Sequence, residues 1–399
     1  MNKILVIATA ALLAVSLTAC GNQLAPSGSD SIELAQGITK TEIKLGSTEP
    51  LSGGAATAGA GFKAGLQAAI DEKNAQGGIN GRKLSITVLD DGFTPARSVA
   101  NIRRLGEQDK VFGILSPAGT ATLPGSWPYI KQTNMPVFGP VLPPDPDLPS
   151  VYELATSQLD QSRVMADFLA TKGVKTVGLV GQDNNLGQAV VDGMKRQAPK
   201  AGLTVVDSEK TEPNSTDVSA AVLKLRDAAP DAVVLGTDNT QTTLILKQAQ
   251  QIGWAPTFIG GSSAVGVGSS VAVGPAGNAA DNVYGTMVVD LPSSNTPEVA
   301  RWRAAPGSAS DSTGAGFSLQ AYATAQVFFG ILEKMGADLS WANFQKTAEA
   351  TKDLKVGLLP PVSFGTLPGG HTGTVAAKVA RYTTAAGWVT VTPDWISPK

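Results

Sequence analysis

The chain has 399 residues, with 31 Lys+Arg against 33 Asp+Glu and only 16% charged side chains, where an average soluble protein carries roughly 25%. So sparse and balanced a charge excludes nucleic-acid binding by bulk electrostatics, and 42% hydrophobic residues exclude disorder for the bulk of the chain. A single Cys and a single His exclude an intramolecular disulfide and Cys- or His-rich metal clusters, so neither a metal nor a cofactor is expected.

In chain order, a basic start at Met1–Lys3 precedes an apolar run from Ile4 to Leu17. That run is too short for a bilayer core of about 30 Å and suits the apolar region of a signal peptide. It closes on Leu17-Thr18-Ala19-Cys20, which resembles the bacterial lipoprotein signal. The resemblance implies loss of residues 1–19 and acylation of Cys20, hence an extracytoplasmic, lipid-anchored protein. The competing assignment is an ordinary secretory signal with a chance cysteine, but the chain's one Cys stands where the lipid signal needs it. Residues 20–41 are small and polar without a sustained period and read as a flexible tether.

From Ile43 strands and helices alternate. Ile43–Thr48, Leu84–Leu89, Val111–Leu115 and Pro136–Gly139 read as strands. Between them, helices are expected over Gly61–Gln76, from Pro95 to Glu107, and irregularly over Leu123–Lys131, where Pro124 and Pro128 intrude. The unit then recurs, with helices at Gln158–Lys172, Gly187–Ala201, Val218–Ala228 and Gln241–Ile252 and strands at Thr176–Val180, Leu203–Ser208, Ala232–Leu235 and Thr257–Gly260. Two such runs predict an α/β protein of two doubly wound, parallel-sheet lobes.

Thr48-Glu49-Pro50-Leu51-Ser52-Gly53, the stretch Asn74–Arg82 (NAQGGINGR) and Asp90-Asp91 resemble the amino-terminal signature of type I periplasmic substrate-binding proteins of the branched-chain amino-acid family. Phe112–Thr122, Gly181–Gly187 and Ile252-Gly253-Trp254 continue the likeness, which covers about 42 to 395. It implies two lobes joined by three crossovers, near Thr156–Gln158, Gly285–Met287 and Phe364–His371, closing on a ligand in the cleft. The first lobe would hold 42–156 plus 287–364 and the second 157–286 plus 365–399. It also implies a monomeric, non-enzymatic receptor that passes a small polar molecule, an amino acid or a related amide or organic acid, to the permease of an ABC importer. A receptor feeding a signalling partner and a secreted α/β hydrolase are the alternatives. The hydrolase is disfavoured because no G-x-S-x-G motif is present.

In open parallel sheets ligands bind beyond the carboxyl ends of the strands. Candidate ligand contacts there are Ala118, Gly119 and Thr120 in the SPAGTAT loop, Val141 after the fourth strand, and Asn185, Asp238 and Ser262 from the second lobe. Backbone N–H groups at Gly119-Thr120 would attract an anionic or polar group, with helix capping by Thr120 or Thr122 as the competing role. Asp238 could meet a ligand amine or cap the helix that follows it. Phe317 and Tyr322 stand where the family supplies apolar walls, with core packing as the alternative.

The pocket departs from the amino-acid-binding pattern. Ser262-Ser263 stand where an acid is often found, and Ala55, Ala56 and Ala58 where aromatics are expected. Gly59–Ala64 matches a loose dinucleotide fingerprint but lies too far from its strand. Asp90-Asp91 are expected to bind loop backbone, and His371 to sit at a hinge or on the surface.

Overall fold

The computed structural model describes residues 34–119, 122–140, 147–213, 215–266, 273–365 and 371–399. Cys20, Thr120 and Val141, three of the expected functional positions, lie outside the described residues.

The chain begins with β1 (Glu42–Glu49), α1 (Ala56–Ala75), β2 (Lys83–Asp90), α2 (Pro95–Glu107), β3 (Gly113–Leu115), α3 (Trp127–Thr133), β4 (Val137–Phe138) and β5 (Val151–Tyr152). Its strands form a parallel sheet in the order β2-β1-β3-β4-β5. A second run follows: α4 (Gln158–Thr171), β6 (Thr176–Gln182), α5 (Asn185–Ala201), β7 (Thr204–Thr211), α6 (Ser219–Asp227), β8 (Ala232–Gly236), α7 (Asn239–Gln251), β9 (Thr257–Gly260), α8 (Ser262–Val265) and β10 (Tyr284–Met287). Three helices, α9 (Pro297–Ala304), α10 (Ala315–Lys334) and α11 (Trp341–Glu349), precede a hairpin of β11 (Lys378–Thr383) and β12 (Gly387–Thr390). The second sheet runs β12-β11-β10-β9-β8-β6-β7, parallel from β10 to β7 and antiparallel at the hairpin. The molecule is thus a pair of α/β lobes with parallel-dominated sheets.

The late helices complete the first lobe. Phe328, Phe329 and Phe344 share one core with Ile43, Leu45, Phe112, Phe138 and Tyr152. The rings meet edge-on or tilted, with Phe138–Phe328 centroids 5.3 Å apart and Phe112–Phe344 5.7 Å, a geometry that aromatic quadrupoles favour. Val379, Ala380 and Trp388 of the hairpin instead pack into the second lobe.

Several elements differ from the sequence reading. Helix α1 starts at Ala56, ahead of the expected Gly61, and runs through Gly59, Gly61 and Gly65. Glycine inside a helix costs about 1 kcal/mol relative to Ala, and here it lets α10 approach: a Cβ on Gly65 would lie 2.0 Å from the Ser318 carbonyl oxygen. Residues 34–38, part of the expected tether, pack against the fold, while residues 39–41 are exposed. Gln36 Nε2 donates to the Val111 carbonyl at 2.9 Å, and Ile38 is buried in the first core. The segment carries Leu34, Ala35 and Ile38, enough apolar surface to dock. Gly285–Met287, expected as a crossover, lie in β10 within the second sheet, and the chain turns away only beyond it, where Asp290 N–H donates to Leu358 O.

Candidate functional site

Both lobes share one strand order: β2-β1-β3-β4-β5 in the first is matched by β7-β6-β8-β9-β10 in the second. In such sheets the connections diverge between the first and third strands of the run, and the crevice opens there at the carboxyl ends. These switch points fall between Glu49 and Ser116 in the first lobe and between Gln182 and Thr237-Asp238 in the second.

In the first lobe, Glu49 is fully buried at the end of β1. Its Oε1 accepts from Ser47 Oγ at 2.7 Å, its Oε2 is buried without a hydrogen-bond partner among the described residues, and the nearby Ala118 N–H favours the charged form. Burial, reinforced by the negative charge of Asp91, pushes its pKa well above the ordinary carboxylate range. Ser116 adopts φ +50° and Gly119 φ +142°; the first is a left-handed conformation that non-glycine residues rarely take. Gly119 O accepts from the Thr122 and Leu123 N–H groups at 3.1 and 3.0 Å, and also from Thr122 Oγ1. Thr122 therefore has a loop-closing role.

Beside this loop, Asp90 fastens the β1–α1 connection. Its Oδ1 accepts from the Leu51 and Ser52 N–H groups and its Oδ2 from Ser52 Oγ at 2.7 Å. The Ser52 bond, followed by the Gly92 N–H and Arg97, lowers its pKa to about 2. Asp91 turns the other way, accepting from Thr48 Oγ1 and the Phe93 N–H. Both acids are spent on loop geometry. Phe93, which the sequence reading passed over, is held at φ +57° and 48% exposed on this rim.

In the second lobe, Gln182 Nε2 donates to Asp238 Oδ2 at 2.8 Å, while Gln182 Oε1 accepts from Asn184 Nδ2 at 3.2 Å. Asn184 caps α5 by accepting from the Gly187 N–H, and Asp238 caps α7 by accepting from the Gln241 N–H at 2.9 Å. Of the two roles open to Asp238, capping is the one whose geometry is present. Asn185 is exposed in the first turn of α5. Ser262 opens α8, its N–H donating to Gln161 Oε1 at 2.9 Å and its Oγ accepting from Gln158 Nε2 at 3.2 Å.

The carboxyl ends of β5 and β9 meet the crossovers. Glu153 N–H donates to His371 O, and Gly373 N–H donates to Glu153 O, each at 2.9 Å. Thr156 Oγ1 donates to Ala376 O, and Lys378 Nζ lies 3.0 Å from Asp290 Oδ1 in a buried ion pair. His371 rests edge-on to Tyr152 at 4.9 Å, and burial lowers its pKa. Among the described residues, the hydrogen bonds that join the lobes lie at these crossovers.

A family model described as periplasmic binding protein matches residues 42–387. The chain belongs to that family. It is a type I periplasmic binding protein of the branched-chain amino-acid family, a binding protein and not an enzyme. It is 26% identical over 368 residues to the Leu/Ile/Val-binding protein homolog 7 of Brucella abortus, covering 87% of each chain. Among solved structures it resembles the LivJ substrate-binding protein of Streptococcus pneumoniae in complex with isoleucine, with TM-score 0.69 at 19% identity, covering 88% of this chain and 100% of the other. It also resembles a fatty acid ABC transporter substrate-binding protein from Thermomonospora curvata, with TM-score 0.75 at 20% identity, covering 92% and 96%.

Within this binding-protein frame, the expected contacts divide by lobe. Ala118 and Gly119 sit at the first switch point and Asn185 and Asp238 at the second, with Ser262 at the carboxyl end of β9. Phe317 stands on the first turn of α10, its ring 5.6 Å from Phe62 and its Cβ close to Gly61 of α1, so it borders the cleft end of α1 and also packs on the core. Tyr322 is elsewhere. Its hydroxyl bonds Glu72 and accepts from Arg301 Nε at 3.2 Å between α1 and α10, and burial together with Glu72 raises its pKa to about 12. Gly59–Ala64 lie inside α1, with no strand-to-helix turn to cradle a pyrophosphate. The residues missed by the sequence reading are Glu49, Gln161 and Gln182, whose signal was present as lone polar side chains at strand ends or among apolar helical neighbours.

Proposed function

We propose that this chain is the lipid-anchored solute receptor of an ABC importer, acting as a monomer that captures a small aliphatic amino acid or a related amide or organic acid between its lobes. The supporting observation is the pairing of two switch-point loop sets, Ser116–Gly119 with the β1–α1 connection and Gln182–Asn185 with Asp238, in lobes whose described cross-links are confined to the crossovers. Rotation about such crossovers brings the two loop sets onto one ligand. Contacts from both lobes lower the energy of the closed state, which the permease reads. Ala118, Gly119, Thr120 and Val141 contact the ligand from the first lobe, Asn185, Asp238 and Ser262 from the second, and Phe317 supplies an apolar wall. Ala55, Ala56 and Ala58 leave this wall less bulky than the family's aromatics do.

The test is a thermal-shift and calorimetric screen of L-leucine, L-isoleucine, L-valine, L-threonine, L-alanine, their amides and short aliphatic carboxylates. The expected result is saturable binding of one of these classes without turnover; silence across the panel overturns the assigned solute class. Anchoring is tested separately. Cys20→Ser leaves the fold unchanged and moves the protein from the detergent phase to the aqueous phase, since acyl chains contribute about 0.8 kcal/mol per buried CH₂. Retention of the variant in the detergent phase overturns the lipid anchor.

A further inference from the structure

We propose that the side-chain amide of Gln161 is the joint that couples the second-lobe rim to the angle between the lobes. Gln161 is 2% exposed on α4. Its Nε2 donates to Thr156 O at 2.7 Å, and its Oε1 accepts from both the Ser262 N–H at 2.9 Å and Thr286 Oγ1 at 2.8 Å. The amide orientation is fixed by its partners, because a backbone N–H can only donate and a carbonyl can only accept. Thr156 belongs to the crossover after β5, and its own hydroxyl donates to Ala376 O on the crossover before β11. Thr286 lies in β10, the strand of the second sheet that leads into the remaining crossover. One side chain thus binds one connection directly, a second through Thr156, and the strand that leads into the third.

The third partner, Ser262, gives the cluster a role in binding. Ser262 opens α8 at the carboxyl end of β9, and Gln158 Nε2 reaches the hydroxyls of Ser262 and Ser263 at 3.2 and 2.7 Å from the same helix as Gln161. A displacement of Ser262 by a ligand therefore loads the bond to Gln161, and through it the groups that must rotate when the lobes close. Thr156, Gln161 and Thr286 are all buried, so water cannot replace a broken bond without opening the cluster. This is a coupling through one discrete hydrogen-bonded unit, and it makes Gln161 a positioning residue for the hinge, not a ligand contact.

The ligand arm of the test rests on the solute-receptor reading; the hinge arm does not. Spin labels are placed on Lys63→Cys of the first lobe and Lys195→Cys of the second, both exposed, in a Cys20→Ser background that removes the native thiol. Pulsed dipolar spectroscopy then reads the interlobe distance. Without any solute, the parent gives one narrow distribution, and Gln161→Leu gives a broad one. Thr286→Val removes one donor while keeping side-chain shape, and gives intermediate width; it decides the matter where Gln161→Leu does not fold. Narrow distributions in the folded variants, with only a lowered melting temperature, overturn the proposal. With L-isoleucine as the probe, the parent shifts to a shorter distance and Gln161→Leu loses most of that shift. A parent that does not respond to L-isoleucine counts against this solute and leaves the widths to decide the hinge.

Discussion

Gln182 Nε2 and Asp238 Oδ2 lie 2.8 Å apart, joining the end of β6 to the loop after β8 across the switch point of the second lobe. In the first lobe the corresponding position is Glu49, buried at the end of β1 near the Ala118 N–H beyond β3. In each lobe a polar side chain from the first strand stands at the gap that the diverging connections leave open. Buried polar side chains at such a gap must find partners; Gln182 finds Asp238, whereas Glu49 bonds Ser47 and leaves Oε2 unpaired among the described residues.

Asp238 has two separable duties in this arrangement. Losing the cap on α7 costs about 1 kcal/mol, and leaving the amide of Gln182 unpaired costs roughly 1–3 kcal/mol more. Asp238→Ala is therefore expected to lower the stability of the solute-free protein by about 2 kcal/mol or more. Asp238→Ser, which keeps the cap but cannot reach Gln182, lies between the variant and the parent. Urea denaturation of all three checks this: equal midpoints for Ala and Ser would assign the whole effect to the Gln182 bond, and a Ser midpoint equal to the parent's would assign it to capping.

Glu49 makes stability depend on pH with a definite sign. Its pKa is raised in the folded protein by burial, while in the unfolded chain it titrates as an ordinary carboxyl near 4.3. Below that value both states hold the proton and Glu49 adds no pH dependence. As pH rises further the unfolded state loses its proton first, so stability falls until the folded pKa is passed. Glu49→Gln still accepts from Ser47 and removes the titration. The stability of Glu49→Gln relative to the parent should thus climb as the pH rises above about 5, by up to about 1.4 kcal/mol per pH unit, until the folded pKa of Glu49 is passed. A difference that stays level across that range would mean Glu49 is ionised in the fold.

The fold was legible because its signals are local and repeated. Apolar runs such as Ala232–Leu235 end in glycine or polar turns, and α5 and α7 open on Asn184 and Asp238, which are ordinary capping residues. What escaped the sequence reading depends on partners far away in the chain. Gly61 and Gly65 look like helix breakers until α10 is laid against them. Gly285–Met287 carry no marker that separates a strand in the second sheet from a crossover, because pairing with β9 and β11 decides it. In the site, loops at strand ends could be located from topology, but the choice for Asp238 between cap and ligand contact depended on where Gln182 pointed. Nothing in the order of residues states that.

The close approach of α1 and α10 has a direct test in Gly65. Alanine is the better helix former by about 1 kcal/mol, so an isolated helix would gain from Gly65→Ala. In the folded lobe the new Cβ would lie 2.0 Å from Ser318 O and 2.9 Å from its Cα. Backbone cannot swing aside as a side chain can, and overpacking of this sort costs typically 1–3 kcal/mol. The expected outcome is a net loss of about 1–2 kcal/mol, read from the urea midpoint. A stabilised Gly65→Ala would show that the two helices do not pack at this distance.

Asp290 and Lys378 are expected to lock the crossovers through charge. Their side chains are 4% and 12% exposed with N and O 3.0 Å apart, and Lys378 Nζ also lies 4.6 Å from the centre of the Trp395 ring. Removing one partner of such a pair leaves the other charge in a poorly solvated place, at a cost of about 3–5 kcal/mol. The face of Trp395 offsets part of this for the lysine. Asp290→Ala should therefore cost about 3 kcal/mol, and Lys378→Met somewhat more, because the stranded carboxylate has no ring to lean on. The double variant Asp290→Leu with Lys378→Met removes both charges and fills the space, and should recover most of the loss. Urea denaturation of the singles and the double reads the coupling directly. A cost below about 1 kcal/mol for Asp290→Ala, the range of exposed pairs, would show that water reaches the pair and that the crossovers are held by hydrogen bonds alone.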